Sequence, residues 1–551
     1  MIAINSYNEL SRLGVEMIFD IEKIGNVAYQ SGSHTDSSSP RIVMGEDAIT
    51  HDARMGKVRN INSKIILLKI DDICELLGQH DGKILKRYCK NGILCVPCND
   101  YLVIGDDKQM SVEILLKDSA GNSIIVRKGQ TIWSGLDIGE SFFLLVTEGY
   151  LPERKQPSGG ASQFYNNIIQ RLYYNSPALL RSWAQRLCYR ILESGLKPKR
   201  RSHFLTDYPV DITGWLLIRI LSSFIRQLDG RVVSVAKWRH PYKGAFVFTH
   251  DIEPTKFSYT IGIKTLLERI GERDEKGHTI DLVACYAKRF IDDKERISSI
   301  RRYPLMSHGY DHIGGEIYLP YEEIRRRIAI AKGELESLFG KEVSGYRSPR
   351  YERNDFIVRA IIEAGHKFSS VYPDIDRGNA DMYGAGVTIN YPFYHHIKNE
   401  TTYEKTGLLE IPITSPDCIE PLMMGYDVDA MRSLYHTKIG YMNDIEGAYV
   451  CIVHAGNFDN VDVRIRTELL KFLLDEIEHY NFWRTDMDAL ACWWKKREKL
   501  CLKIESGAIS ITNHGDEEVD GIVLVYETQS GEVHRHVAGR LAPQSVSVIK
   551  I

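Results

Sequence analysis

Hydrophobic and polar positions divide the chain into stretches of different rhythm. Up to about residue 155, short apolar runs recur between turn residues: Val15–Phe19, Lys64–Ile70, Tyr101–Ile104, Val112–Leu116, Ser123–Val126 and Ser141–Thr147. This rhythm predicts strands, with a helix near Asp71–Leu77, and hence an N-terminal α/β or β-rich domain over 1–155. The Ser-rich stretch Ser31–Pro40 predicts a loop, and Pro152–Gly160 predicts a boundary. Residues 156–235 carry apolar positions at helical spacing, including Trp215–Leu228, and predict a mainly helical linker region. From 236 to 500 apolar runs alternate with amphipathic ones. Strands are expected at Ala245–Thr249, Asp281–Tyr286, Val343–Arg347, Leu408–Ile413 and Tyr449–Val453. Helices are expected at Tyr321–Phe339, stopped by Gly340; at Asn354–Ala364, capped by Asn354 and followed by Gly365; and at Arg464–His479. Repeated strand–helix order predicts a parallel α/β sheet or barrel. Residues 501–551 return to short strands, with Asn513–Gly515 as a turn, and predict a small β domain.

Composition narrows the function classes. The 551 residues are 43% hydrophobic and 26% charged, which is globular. Lys plus Arg (70) nearly balances Asp plus Glu (73), so no basic field marks a nucleic-acid partner. The run Lys197–Arg201 reads as a solvated linker or as a phosphate or lipid-headgroup patch. The start of the chain shows no basic segment followed by an apolar run. Trp215–Ile225 is interrupted by Arg219 and falls short of the ~20 residues that span a bilayer. A cytoplasmic protein without a transmembrane segment is expected. The ten cysteines form no regular framework, which agrees with a reducing compartment. Cys95-x-x-Cys98, with Cys74 and Cys89, has no second pair to complete a zinc site and reads as free thiols.

Four polar clusters fall at or just beyond the C-terminal ends of expected strands, where active sites of α/β barrels gather. In Thr249-His250-Asp251-Ile252-Glu253, two carboxylates two residues apart share one side of an extended chain, so one can bind a metal while the other serves as base. A surface turn explains a lone D-x-E equally well. His308 and His312 stand at i and i+4, the spacing at which two imidazoles chelate one ion, and chance pairing among 18 histidines competes with that reading. Arg347-Ser348-Pro349-Arg350-Tyr351 sets an arginine able to hold a carboxylate before a fixed loop. His454, in the fourth cluster, follows the strand Tyr449–Val453 beside small residues; alone, it reads more often as structural than as functional.

In this order the clusters resemble the polysaccharide deacetylase (NodB-homology) family of carbohydrate esterases. The family's motifs are a D-x-D/E start, an H-x-x-x-H pair, an R-x-P loop and a late L-x-x-H strand. The resemblance covers roughly residues 240–500. It implies a distorted barrel of seven or eight β/α units at 236–500, with Asp251 as catalytic base, Glu253, His308 and His312 as metal ligands, Arg347 orienting Asp251, and His454 as general acid. It further implies substrate contacts by Tyr310, Pro349, Arg350 and Tyr351, a backbone N–H near Arg350–Tyr351 for the oxyanion, and one divalent metal, zinc first, with cobalt, nickel, manganese or iron as alternatives. The activity implied is removal of N-acetyl groups from an amino-sugar-containing glycan or glycoconjugate. Tyr372 and Tyr391 join Tyr310 and Tyr351 as candidate sugar-stacking rings. The chain departs from the pattern at Ile252, Arg350 and Cys451, and the family's histidine-tuning Asp is absent from Phe368–Ser370, leaving Asp374 or Asp376 as substitutes. Two rival readings accompany these departures: a C–N hydrolase of a small amide or ureide on the same scaffold, and a carbohydrate-binding pseudoenzyme.

Overall fold

The computed structural model describes residues 2–6, 8–25, 27–30, 40–44, 58–104, 112–147, 176, 180, 183, 187, 209–252, 280–284, 301, 303–311, 316–374, 389–415, 426–454, 463–505 and 507–550. The boundary at 152–160, the basic run 197–201, residues 31–39 and the site candidates Glu253, His312 and Asp376 lie outside them.

The N-terminal region is α/β. Its sheet runs in the order Val27–Gln30, Ile2–Asn5, Arg41–Met44, Thr131–Ser134, Ser123–Lys128, Glu113–Lys117; the first four are parallel and the last two pair antiparallel. Two expected strands are helices. Val15–Phe19 lies inside the helix Glu9–Glu22, and Ser141–Thr147 overlaps the helix Ile138–Val146. A five-residue apolar run does not separate a buried strand from a buried helix. The deciding signals are the caps: Asn8 accepts from the Leu10 N–H and Asp137 from the Glu140 N–H. The two helices touch through glycine, since a Cβ on Gly14 would stand 1.8 Å from the Gly139 carbonyl oxygen.

The helix Thr213–Asp229 is buried on nearly every side, and its residues share one core with the N-terminal sheet, the central sheet and the C-terminal strands. Its Arg219 bridges Asp81 (2.8 Å) and Glu527 (2.6 Å), tying three regions together.

The central sheet has nine strands among the described residues. Its order is Phe393–Asn399, Thr402–Glu410, Phe368–Ser369, Gly345–Tyr346, Leu305–Ser307, Ile280–Ala284, Gly244–Ile252, Ala448–His454, with Phe482–Thr485 also paired to Gly244–Ile252. Every pairing is parallel except the hairpin Phe393–Asn399/Thr402–Glu410. The ladder is open. Just past the strand Thr402–Glu410, Thr414 donates its N–H to the Val450 carbonyl at 3.2 Å and its hydroxyl to the Ala448 carbonyl at 2.7 Å, so the chain leaving that strand reaches Ala448–His454. Helix Tyr321–Phe339 buries Ile324, Ile328, Ala331 and Leu335 on one stripe and ends at Gly340 with φ 66°. Asn354 caps helix Asp355–Glu363 through the Ile357 N–H at 2.9 Å.

The C-terminal strands form two three-stranded sheets. Leu500–Glu505, Ala508–Asn513 and Val546–Lys550 make one; Val519–Thr528 and Val533–Leu541 join Arg231–Val235 in the other. No helix among the described residues is long and apolar enough to cross a membrane.

Candidate active site

Parallel pairing brings the ends of five central strands to one edge, and the polar clusters meet there. In the strand Gly244–Ile252, Thr249 and Asp251 share one face, as residues two apart must. Register sets Asp251 opposite His454 on the neighbouring strand, and the Thr249 hydroxyl donates to the Cys451 carbonyl at 2.7 Å. Across the gap stands Arg347, at the end of Gly345–Tyr346 and 0% exposed. Its Nη1 donates to Asp251 Oδ1 and to Thr249 Oγ1, both at 2.7 Å. Its Nε reaches the Ser370 carbonyl at 3.3 Å and its Nη2 the Ser370 hydroxyl at 3.1 Å.

The Asp251 carboxylate is 1% exposed. Burial alone would raise its pKa; the positive charge of Arg347, with His308 and His454, reverses that and holds it below the ordinary carboxylate value. Asp251 is therefore ionised at neutral pH.

His308 follows the strand Leu305–Ser307 and is buried. Its Nδ1 lies 3.0 Å from the Arg347 carbonyl oxygen, which fixes Nδ1 as the protonated nitrogen. The remaining nitrogen, Nε2, lies 3.7 Å from Asp251 Oδ2. This is how a metal-ligating imidazole is held, with one N–H on a backbone carbonyl and the lone pair turned to the ion. His308 therefore suits one ligand position of a divalent cation. No three His, Cys, Asp or Glu side chains assemble as a metal set among the described residues, and the other two expected ligands, Glu253 and His312, lie outside them.

The R-x-P loop is a tight turn. Pro349 is buried, and Arg350 (φ 58°) and Tyr351 (φ 55°) both take the left-handed conformation. The Tyr351 N–H donates to the Ser348 carbonyl at 3.3 Å, so of the backbone donors expected for an oxyanion this one is engaged within the turn. Gly309 packs on this loop: at φ 79°, a Cβ there would stand 3.0 Å from Pro349. The H-x-x-x-H and R-x-P segments are thus in direct contact.

Among the aromatic candidates, Tyr310 is half-buried with the Arg327 guanidinium 5.1 Å from its ring centre, and Tyr372 lies 4.7 Å from that of Arg353. Tyr391 is a core residue whose hydroxyl donates to the Ile445 carbonyl at 2.6 Å, so it does not stack on a sugar. Asp374 accepts from Asn390 Nδ2 at 2.8 Å and pairs with buried Lys438. Cys74, Cys89, Cys95 and Cys98 are free thiols, and burial pushes Cys98 up to about 12.

Sequence reasoning missed the support behind Arg347. Glu410, fully buried, accepts from the Val371 and Tyr372 N–H groups at 2.7 and 2.8 Å and from the Ser369 hydroxyl at 2.5 Å, and lies 3.0 Å from His395 Nε2. It pins the segment whose Ser370 holds Arg347. His395 lies in the strand Phe393–Asn399.

No family model and no curated protein matches the chain. Solved structures do. A protein described as a polysaccharide deacetylase from Mycobacterium smegmatis is 19% identical, with 49% of this chain and 96% of that one covered and a TM-score of 0.38. Puue allantoinase is 15% identical, with 47% and 93% covered and a TM-score of 0.36. A CE4 family pseudoenzyme from Bacillus anthracis is 15% identical, with 46% and 68% covered and a TM-score of 0.27.

Proposed function

We propose that the chain is a metal-dependent hydrolase that removes N-acetyl groups from an amino-sugar-containing glycan or glycoconjugate. The observation that carries this reading is the arrangement of Asp251: one oxygen is held by Arg347 at 2.7 Å, the other faces His308 Nε2 at 3.7 Å, and His454 stands opposite in register. A pseudoenzyme has no need to keep a buried carboxylate ionised beside a buried imidazole.

His308, with Glu253 and His312, would hold the cation; zinc fits this nitrogen and oxygen set, as do cobalt, nickel, manganese and iron. When bound, the cation supplies Lewis-acid polarisation of water and of the acyl oxygen. Asp251, kept ionised by Arg347, takes the proton from the attacking water. Arg347, itself held by the Thr249 hydroxyl, fixes the carboxylate so that one oxygen remains turned toward the reacting side. His454 gives a proton to the departing amine, which leaves poorly without one. The half-buried rings of Tyr310 and Tyr372 and the turn at Pro349–Tyr351 border this edge and would contact the sugar.

The test is acetate release from N-acetylglucosamine oligomers by zinc-loaded protein. Wild type should release acetate, and Asp251→Asn should lose about 10³-fold in turnover, the scale of a general base. Hydrolysis of a cyclic ureide with no acetate from any acetylated sugar would transfer the site to the small-amide reading.

A further inference from the structure

Glu410 interrupts an apolar run, Leu408-Leu409-Glu410-Ile411, and is fully buried. A carboxylate persists in a core only where donors meet its oxygens. Here the Val371 and Tyr372 N–H groups share Oε1 at 2.7 and 2.8 Å, and Oε2 takes the Ser369 hydroxyl at 2.5 Å. His395 Nε2 lies 3.0 Å from the same Oε2 and 2.8 Å from the Ser369 oxygen, so these three side chains hold one another. The backbone adds two bonds: the Ile411 N–H donates to the Ser369 carbonyl at 2.8 Å, and the Ile413 N–H to the Tyr372 carbonyl at 2.9 Å. Residues 369, 371 and 372 are thus anchored on both sides of Ser370, largely by one carboxylate.

Ser370 is the member of that segment that meets the site. Its N–H donates to the Tyr346 carbonyl at 2.9 Å, while its carbonyl and hydroxyl take Nε and Nη2 of Arg347 at 3.3 and 3.1 Å. Arg347 in turn donates to Asp251 Oδ1 at 2.7 Å. Glu410, Ser370, Arg347 and Asp251 are all buried, so this chain of contacts runs through the interior from one strand end to another. Two acceptors on one residue fix the plane of the guanidinium, and a misplacement of about 1 Å at a reacting group can cost about 10²-fold in rate. Tyr372 shares the same anchor and offers a second route to the site, through its ring.

We infer that Glu410 is a positioning residue for the reaction: by clamping Ser369, Val371 and Tyr372 it sets the Ser370 hydroxyl and carbonyl that aim Arg347 at Asp251. The kinetic consequence rests on the deacetylase reading above; the hold on Arg347 does not.

The experiment reads both in the full-length protein. The first readout is solvent exchange of the Arg347 Nε–H by side-chain NMR, its signal assigned by its loss in Arg347→Lys. The Nε–H of Arg497, which donates to the Ala236 carbonyl at 2.8 Å, is the internal reference. In Glu410→Ala, exchange at Arg347 should rise about tenfold relative to Arg497. Glu410→Gln keeps one oxygen for the two N–H groups and should fall between Glu410→Ala and wild type. Equal acceleration at both arginines, or none at Arg347, overturns the inference, because Glu410 then supports only the fold. The second readout is acetate release by zinc-loaded protein. In Glu410→Ala, kcat should fall about 10–100-fold with KM within about twofold of wild type. A raised KM with kcat intact overturns the inference in favour of the route through Tyr372. If Glu410→Ala fails to fold, Glu410→Gln decides by the same criteria. Wild type that releases no acetate removes the deacetylase reading, and the exchange comparison alone then decides whether Glu410 holds Arg347.

Discussion

Two arginines are buried to the same degree and do different work. Arg347, at the candidate site, is 0% exposed; Arg497, at the junction between the central sheet and its neighbours, is 1% exposed. Arg347 meets a carboxylate, two hydroxyls and one carbonyl. Arg497 meets carbonyls only: Ala236 at 2.8 Å, Val235 at 2.7 Å, Ile21 at 2.9 Å and Asp20 at 3.3 Å, with Trp494 beneath it at 5.0 Å. Burial pulls Arg497 down to about 10, with Glu22 and Asp20 opposing. The acceptor distinguishes their roles. A guanidinium spent on carbonyls joins segments, here the end of Glu9–Glu22, the end of Arg231–Val235 and the helix Met487–Glu498. A guanidinium spent on a carboxylate also sets that group's charge, and so its chemistry.

The largest effect should come from the joint. Arg497→Met leaves three buried carbonyls and one half-buried one without their donor. At about 1–3 kcal/mol for each stranded group, the loss is about 5 kcal/mol or more. Calorimetry should show a fall of many degrees in melting temperature, and no change at another acidic or basic side chain should restore it. A shift within about 1 °C would mean that water or neighbouring donors replace Arg497, and the comparison would lose one side.

Arg347→Met should destabilise by about 3 kcal/mol, because it leaves Asp251 as a buried charge without its partner. Here a second change can compensate: adding Asp251→Asn removes the stranded charge and should recover most of the loss in chemical denaturation, though not the activity. Additive losses in the double variant would mean that Arg347 works mainly through Thr249 and Ser370, as a joint like Arg497.

These two arginines also mark what the sequence makes legible. Arg347 stands in a spaced motif, and spacing likewise singles out Asp251, His308 and His454, which the structure brings to one edge of the sheet. The helix Tyr321–Phe339 was equally plain, since its apolar stripe and its glycine stop agree. Arg497 and Arg327 carry no such mark: in Lys495-Lys496-Arg497 and Arg325-Arg326-Arg327 the local text is a solvated basic face, and only packing turns one member inward. Glu410 supports Arg347 from a strand 63 positions later in the chain (410 − 347), with nothing local to announce it. Val15–Phe19 was misread as a strand because the caps that decide between strand and helix lie outside the run itself.

The smallest effect tests whether the junction is as insensitive to titration as Arg497 implies. Beside Arg497's carbonyls, the junction holds the pair Arg219–Asp81. Burial alone would raise the Asp81 carboxyl, but Arg219, aided by His80, holds it down to about 2, against an ordinary value of 3.8. A depressed acid stabilises the folded state fully above its unfolded pKa and loses that contribution as pH falls through the folded one. The stabilisation, about 2 kcal/mol, is therefore complete above pH ~5, about half gone near pH 3, and absent below pH ~1. Asp81→Asn should melt lower than wild type at pH 7, and the gap should narrow by about half at pH 3. Arg497→Met should show a gap that changes less over the same range, since its hydrogen-bond partners are carbonyls and only the charges of Glu22 and Asp20 couple to it. A gap for Asp81→Asn that does not narrow would assign the pair's contribution to hydrogen-bond geometry rather than charge, and the two halves of the junction would then be joints of one kind.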